Sequence, residues 1–170
     1  DQELLKRRML EVSETLSGER VSKIRALAKK LSLNVVLGIA ERGEGDRVHN
    51  SALFITEQGE IAEAYRKVHC RRFESIEGNG AFTPGDRFAA VDISVGQSEC
   101  TIGLMICFDR EIPESTRCLR AMGSQFVACP LATDAWDMSQ KIEEADNEMI
   151  TRCRAAENEF FIAVVNHSGR

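Results

Sequence analysis

At 170 residues the chain is long enough for one domain with its own core, and an apolar fraction of 43% is ordinary for a globular protein. A net charge of -5, with no basic stripe, no lysine tail and no interleaving of aromatic and basic residues, argues against nucleic acid or an anionic membrane surface as a partner. The longest apolar runs, such as 104–108 and 160–165, are strand-sized, so no membrane span is expected.

In chain order, Leu4, Leu5, Met9, Val12 and Leu16 recur at helical spacing, which predicts a helix over 1–16 broken by Gly18. A second helix starts at Glu19 and stacks Val21, Ile24, Leu27, Ala28 and Leu31 on one stripe. Residues 34–39, NVVLGI, read as a strand. The runs 50–56 and 61–66 flank Glu57-Gln58-Gly59-Glu60, a hairpin turn in which Gly59 supplies a positive φ. A long polar loop with three glycines and a proline follows over 68–87, and loops of that length in compact domains tend to carry function. Strands are then predicted at 88–93, 101–106, 125–130 and 160–166. Helices fall at 113–122, where Pro113 suits a first turn, and at 138–158. Strands alternating with helices after an early hairpin argue a mixed α/β architecture. The chain starts inside a helical pattern and stops just after a strand, so the reading is one domain over 1–170 that is incomplete at both ends.

The six cysteines, at 70, 100, 107, 118, 129 and 153, form no C-x-x-C and no Cys/His pairing at metal-ligand spacing, which removes the usual zinc and redox spacings. No metal or cofactor is expected. A disulfide framework belongs to smaller secreted chains, and reduced thiols in a cytoplasmic protein fit better.

The candidate chemistry lies in TIGLMICFDREIPE at 101–114, where an apolar run stops at Cys107 and gives way to Asp109, Arg110 and Glu111 ahead of Pro113. A thiol at a strand-to-helix junction sits where sharp turns expose nucleophiles. Taken by itself, the same cysteine reads as a small buried hydrophobe. Lys67 closes the hairpin strand directly before the long loop. It is either a solvated strand-end charge or a cation that favours a thiolate and holds a developing oxyanion. His69 or His167 could instead activate Cys107 in a Cys-His thiol hydrolase, although no thiol-protease signature surrounds the cysteine.

The succession GIAE at 38–41, HNSALF at 49–54, YRKVH at 65–69, FTPGD at 82–86, ICFDREIPE at 106–114 and RAAENEFFIAVVN at 154–166 resembles the nitrilase, or carbon-nitrogen hydrolase, superfamily. That resemblance implies an αββα sandwich of mixed sheets with helices on the outer faces. It also implies a Glu-Lys-Cys triad that hydrolyses non-peptide amide, N-carbamoyl or nitrile bonds through a cysteine acyl-enzyme. By the resemblance Cys107 is the nucleophile and Lys67 the oxyanion-holding lysine. The family's general-base glutamate belongs to a strand expected upstream of residue 1, and Glu3, inside a helical pattern, does not match it. A second loop glutamate is implied, matched by Glu77 better than by Glu74. Phe108 offers its backbone N–H as a second oxyanion donor, and Arg110 either a planar fork for a substrate carboxylate or an ion pair with Glu114 or Asp109 at the helix start. From their place in the chain, the 68–87 loop and Asp134-Ala135-Trp136 after the strand at 125–130 are expected to shape the pocket, Trp136 equally as a subunit or core contact. CFD after the strand is similar to the amidase and carbamoylase branches rather than to nitrilases. The implied partners are a small amide or carbamoyl compound and further copies of the chain, as a homodimer or larger. The competing reading is a non-catalytic nitrilase-like domain that binds a metabolite or a protein.

Overall fold

A computed structural model describes residues 1–132 and 138–166, without the side chains of 138–147. Two compact units divide the chain, Asp1–Ala89 and Ala90–Arg170.

The first unit opens with helix α1, Gln2–Val12, whose N-terminus is capped by the Asp1 carboxylate accepting from the Glu3 amide at 3.0 Å. Helix α2 follows at Glu19–Leu31. The helix predicted over 1–16 therefore stops four residues early. Glu14 leaves the helix to bridge the edge of β1, Val35–Arg42, where its N–H donates to the Ala40 carbonyl at 3.0 Å and its carbonyl accepts from Arg42 at 2.9 Å. The Arg42 guanidinium also reaches the Leu10 carbonyl and the Ser13 hydroxyl at the helix end. These groups outcompete one more helical turn.

β1 pairs antiparallel with β2, Val48–Ile55, and β2 with β3, Ile61–Arg66, in a three-stranded sheet ordered β1-β2-β3. Gly59 turns the hairpin at φ +78°, as the sequence predicts. β2 is central and buried on both faces, with a continuous apolar run over 52–55 preceded by the polar His49, Asn50 and Ser51. On one face Leu53 and Ile55 meet Val21 and Ala28 of α2, with Ile24, Leu37, Ile39 and Ile61 around them. That burial is the unit's main driving force, at about 25 cal/mol per Å² of apolar surface removed from water. Leu27 and Leu31, which continue the predicted stripe, are exposed.

The second sheet has the order β4-β5-β6-β7, formed by Ala89–Val95, Ser98–Leu104, Phe126–Leu131 and Phe161–Asn166. β5, β6 and β7 run parallel, which requires crossovers. Helix α3, Pro113–Ala121, links β5 to β6, and α4, Met138–Asn158, links β6 to β7. Pro113 stands in the first turn of α3, where a missing N–H costs nothing. The α4 end is tied to the turn after β5, with Arg154 Nε donating to the Arg110 carbonyl at 3.1 Å. Asn158 Nδ2 donates to Thr116 Oγ1 of α3 at 3.2 Å.

Candidate active site

In the second unit β5 ends at Leu104, Met105 and Ile106 continue extended and fully buried, and the chain turns sharply at Cys107, whose φ is +48°. A left-handed conformation in a non-glycine residue costs energy and persists only where its surroundings impose it. Here the imposing group is Asp109, 0% exposed, whose Oδ2 accepts the Ile106 N–H at 2.9 Å while its own N–H donates to the Ile106 carbonyl at 3.1 Å. Together they close the 3₁₀ turn Cys107–Glu111. Cys107 and Phe108 are half-buried on that elbow, accessible in a way that a core cysteine is not. Cys129 on β6 supplies the contrast: 1% exposed, its thiol is pushed up to about 12 by burial, and it stays protonated at neutral pH. Arg110 lies at the foot of the elbow, also 1% exposed. Asp134, Trp136 and His167 lie outside the described residues.

In the first unit β3 ends at Arg66, and the Lys67 side chain is 0% exposed. Its backbone is held on both sides: the Lys67 N–H donates to the Asn50 carbonyl and its carbonyl accepts from the Gly85 N–H, each at 2.8 Å. A Cβ on Gly85 would stand 2.2 Å from the Arg66 carbonyl oxygen, so the FTPGD segment needs glycine there to approach the strand end. The buried ammonium pairs with Glu74 Oε2 at 2.6 Å, and the same oxygen accepts the Arg71 N–H at 2.8 Å. Glu77, the glutamate preferred from the sequence, is exposed in the 3₁₀ turn Ile76–Gly78. Glu74 reaches the lysine because the segment folds back on itself. Its N–H donates to the Arg71 carbonyl at 2.9 Å, its carbonyl accepts from Phe82 at 2.9 Å, and Gly80 passes so close that a Cβ would lie 2.2 Å from the Glu74 backbone. The stretch predicted as a long loop is thus a folded platform.

A second buried polar group on this sheet was not visible as a site in the sequence. Glu41 of β1, 2% exposed, accepts from Arg66 Nη2 at 2.6 Å, from Arg66 Nε at 3.1 Å and from Ser51 Oγ at 2.6 Å. Burial alone would raise its pKa, but these bonds outweigh burial and hold the carboxyl below its usual range. Its register partner His49 is buried, and its Nδ1–H donates to the Thr83 carbonyl at 2.8 Å. Burial keeps that imidazole neutral to lower pH than usual. The clue available beforehand was polar side chains inside the otherwise apolar runs 38–42 and 49–54. His69, the other histidine of this unit, lies beside the Phe88 ring, with centroids 5.9 Å apart.

Relatives and solved structures agree on what these two units belong to. The carbon-nitrogen hydrolase family model matches residues 5–170. An (R)-stereoselective amidase from Pseudomonas sp is 32% identical over 161 residues, covering 95% of this chain and 53% of the amidase. Nitrilase homolog 2 of Dictyostelium discoideum is 30% identical over 165 residues, covering 91% of this chain and 46% of the homolog. The chain thus spans about half the length of the curated relatives it matches. The crystal structure of an amidase from Nesterenkonia sp. superposes with a TM-score of 0.72 at 27% identity, over 88% of this chain and 52% of that one. Another structure of that amidase shows the acetamide moiety of fluoroacetamide added covalently at its active-site cysteine. With an α/β fold of two sheets and flanking helices that matches nitrilase-type amidases, and a family match running almost end to end, the chain belongs to the carbon-nitrogen hydrolase family.

Proposed function

We propose that this chain carries two members of the catalytic triad of an amidase that hydrolyses a small amide or N-carbamoyl compound. The observation that supports it most is the strained, half-buried Cys107 on an elbow fixed by a buried aspartate. In this reading a glutamate upstream of Asp1 takes the Cys107 proton, and the sulfur attacks the carbonyl carbon. Lys67 and the Phe108 N–H hold the oxyanion. The tetrahedral adduct collapses as the glutamic acid returns its proton to the leaving nitrogen. Ammonia or an amine departs and a thioester remains. Water, deprotonated by the same glutamate, then attacks the thioester to give the acid and free Cys107. Glu74 takes the loop-glutamate role that the sequence assigned to Glu77, because it is the carboxylate paired with the lysine. For Arg110, buried at the foot of the elbow, support of the turn precedes substrate contact. Asp134 is kept as a pocket residue for its place in sequence just after β6.

The relatives' amidase names favour amide over nitrile. We further propose a cytoplasmic homo-oligomer. The free thiols of all six cysteines fit a reducing compartment, and the oligomer rests on the resemblance. The test is to give the full-length protein a panel of short amides and N-carbamoyl compounds and to trap the intermediate by mass spectrometry. An acyl adduct on the peptide bearing Cys107, absent in Cys107→Ala, is expected. Turnover with no adduct there would overturn the reading.

A further inference from the structure

Arg66 and Lys67 are adjacent at the end of β3, and on extended backbone adjacent side chains point to opposite faces. Lys67 points inward to Glu74, with 0% side-chain exposure, while Arg66, at 42%, points to the other face. There it meets Glu41 across the intervening strand: Ser51 of β2 is the register partner of Arg66 on β3 and of Ile39 on β1, two residues from Glu41. The Glu41 carboxylate therefore gathers three donors from two strands, two of them the parallel prongs of one guanidinium. With its guanidinium half-exposed and screened by solvent, such a pair is a modest stabiliser. What a two-pronged contact supplies is direction. The Lys67 peptide is already pinned by Asn50 and Gly85. The Glu41–Arg66 clamp adds the remaining constraint, because rotation of the strand end that frees Arg66 also swings the lysine.

We infer that Glu41, Arg66 and Ser51 are positioning residues that hold the Lys67 ammonium in place. The catalytic consequence rests on the reading of Lys67 as the oxyanion cation, and two measurements on the full-length protein separate the two claims. The first is independent of catalysis: reductive methylation by formaldehyde and cyanoborohydride, followed lysine by lysine by peptide mass spectrometry. Glu41→Gln keeps the shape of the side chain and removes its charge. It is expected to speed labelling of Lys67 about tenfold, on the scale by which small displacements change reactivity, while exposed Lys23 is unchanged. Labelling of Lys67 at the parental rate overturns the inference. Where Glu41→Gln fails to fold, the same comparison is read on Arg66→Lys, which keeps the charge but loses the fork. Faster labelling supports the clamp and the parental rate overturns it. The second measurement is kcat on the amide that the full-length protein turns over. Glu41→Gln is expected to lower kcat about 10-fold to 10²-fold with little change in KM, and to have no further effect in a Lys67→Ala background. Equal losses in both backgrounds would mean a role unrelated to the lysine and overturn the inference. If Lys67→Ala keeps full turnover the oxyanion reading fails, whatever the labelling shows.

Discussion

Cys107 and Cys129 occupy the same unit and meet opposite fates, decided by backbone conformation, left-handed at Cys107 and extended at Cys129, and by burial. Cys129 faces the core and is held protonated, whereas Cys107 is lifted onto a turn that Asp109 closes from below. Cys107→Ala in the full-length protein should abolish turnover, while exposed Cys153→Ala and half-buried Cys118→Ala should leave most of it. Comparable losses from all three would remove the assignment. On the lysine side, losing one oxyanion partner is typically worth about 10² to 10³ in rate. Lys67→Ala should therefore cost far more kcat than His69→Ala, and Glu74→Gln more than Glu77→Gln. The opposite ranking of lysine and histidine would favour a Cys-His enzyme. His49 adds a pH dependence of stability. Burial lowers its pKa from the ordinary 6.5, so the unfolded chain takes up a proton before the folded one does. Its contribution is complete above about pH 6.5 and is lost as pH falls toward the folded value. Glu41, likewise depressed, loses its own contribution at pH values below its ordinary 4.5. Melting temperature should fall between about pH 7 and pH 5 in the parent and fall less in His49→Gln, and equal slopes would exclude the histidine.

The elements show which features local pattern can encode. The strand alternations, the hairpin glycine, Pro113 at the start of α3 and the run of α4 were all legible, since each is set by neighbours in sequence. The end of α1 was not, because it is set by Arg42, whose contacts with Leu10 and Ser13 span about thirty residues. The Glu74 pairing was hidden for a similar reason. It depends on how the segment between β3 and β4 folds back, and spacing to FTPGD gave no sign of the turn at Arg71 that aims Glu74 at Lys67. That segment owes its fold to close backbone approaches, which gives a sharp test at Gly85. A methyl group there meets the Arg66 carbonyl, a backbone atom that cannot step aside cheaply. Gly85→Ala should cost about 1–3 kcal/mol of stability and reduce turnover more than its loss of folded fraction accounts for. Unfolding in urea and kcat on the folded fraction measure the two separately. Unchanged kcat would show that the lysine does not depend on this contact.

At the scale of the molecule the proposed mechanism poses the question of where the proton of Cys107 goes. A general base works best with a pKa near the working pH, and a carboxylate committed to a strong cation is a weak one. In the first unit Glu41 is bound to Arg66 and Ser51, and Glu74 to Lys67. Glu3 is exposed in the first turn of α1, with its N–H on the Asp1 cap. None of these carboxylates is a free, buried base. On the proposed reading, which puts the base outside this segment, residues 1–170 expressed by themselves should not cycle on amides, even where Cys107 still reacts with an alkylating reagent, because a thiol without a base is a poor nucleophile and a thioester without activated water does not turn over. The measurement compares this segment with the full-length product on the same amides and N-carbamoyl compounds, with adducts counted by mass spectrometry. Turnover by the longer protein and no more than a single adduct on the segment is the expected pair of results. Multiple turnovers by the segment would place the base within it, and Glu74, Glu77 and Glu3 would then be the first carboxylates to replace.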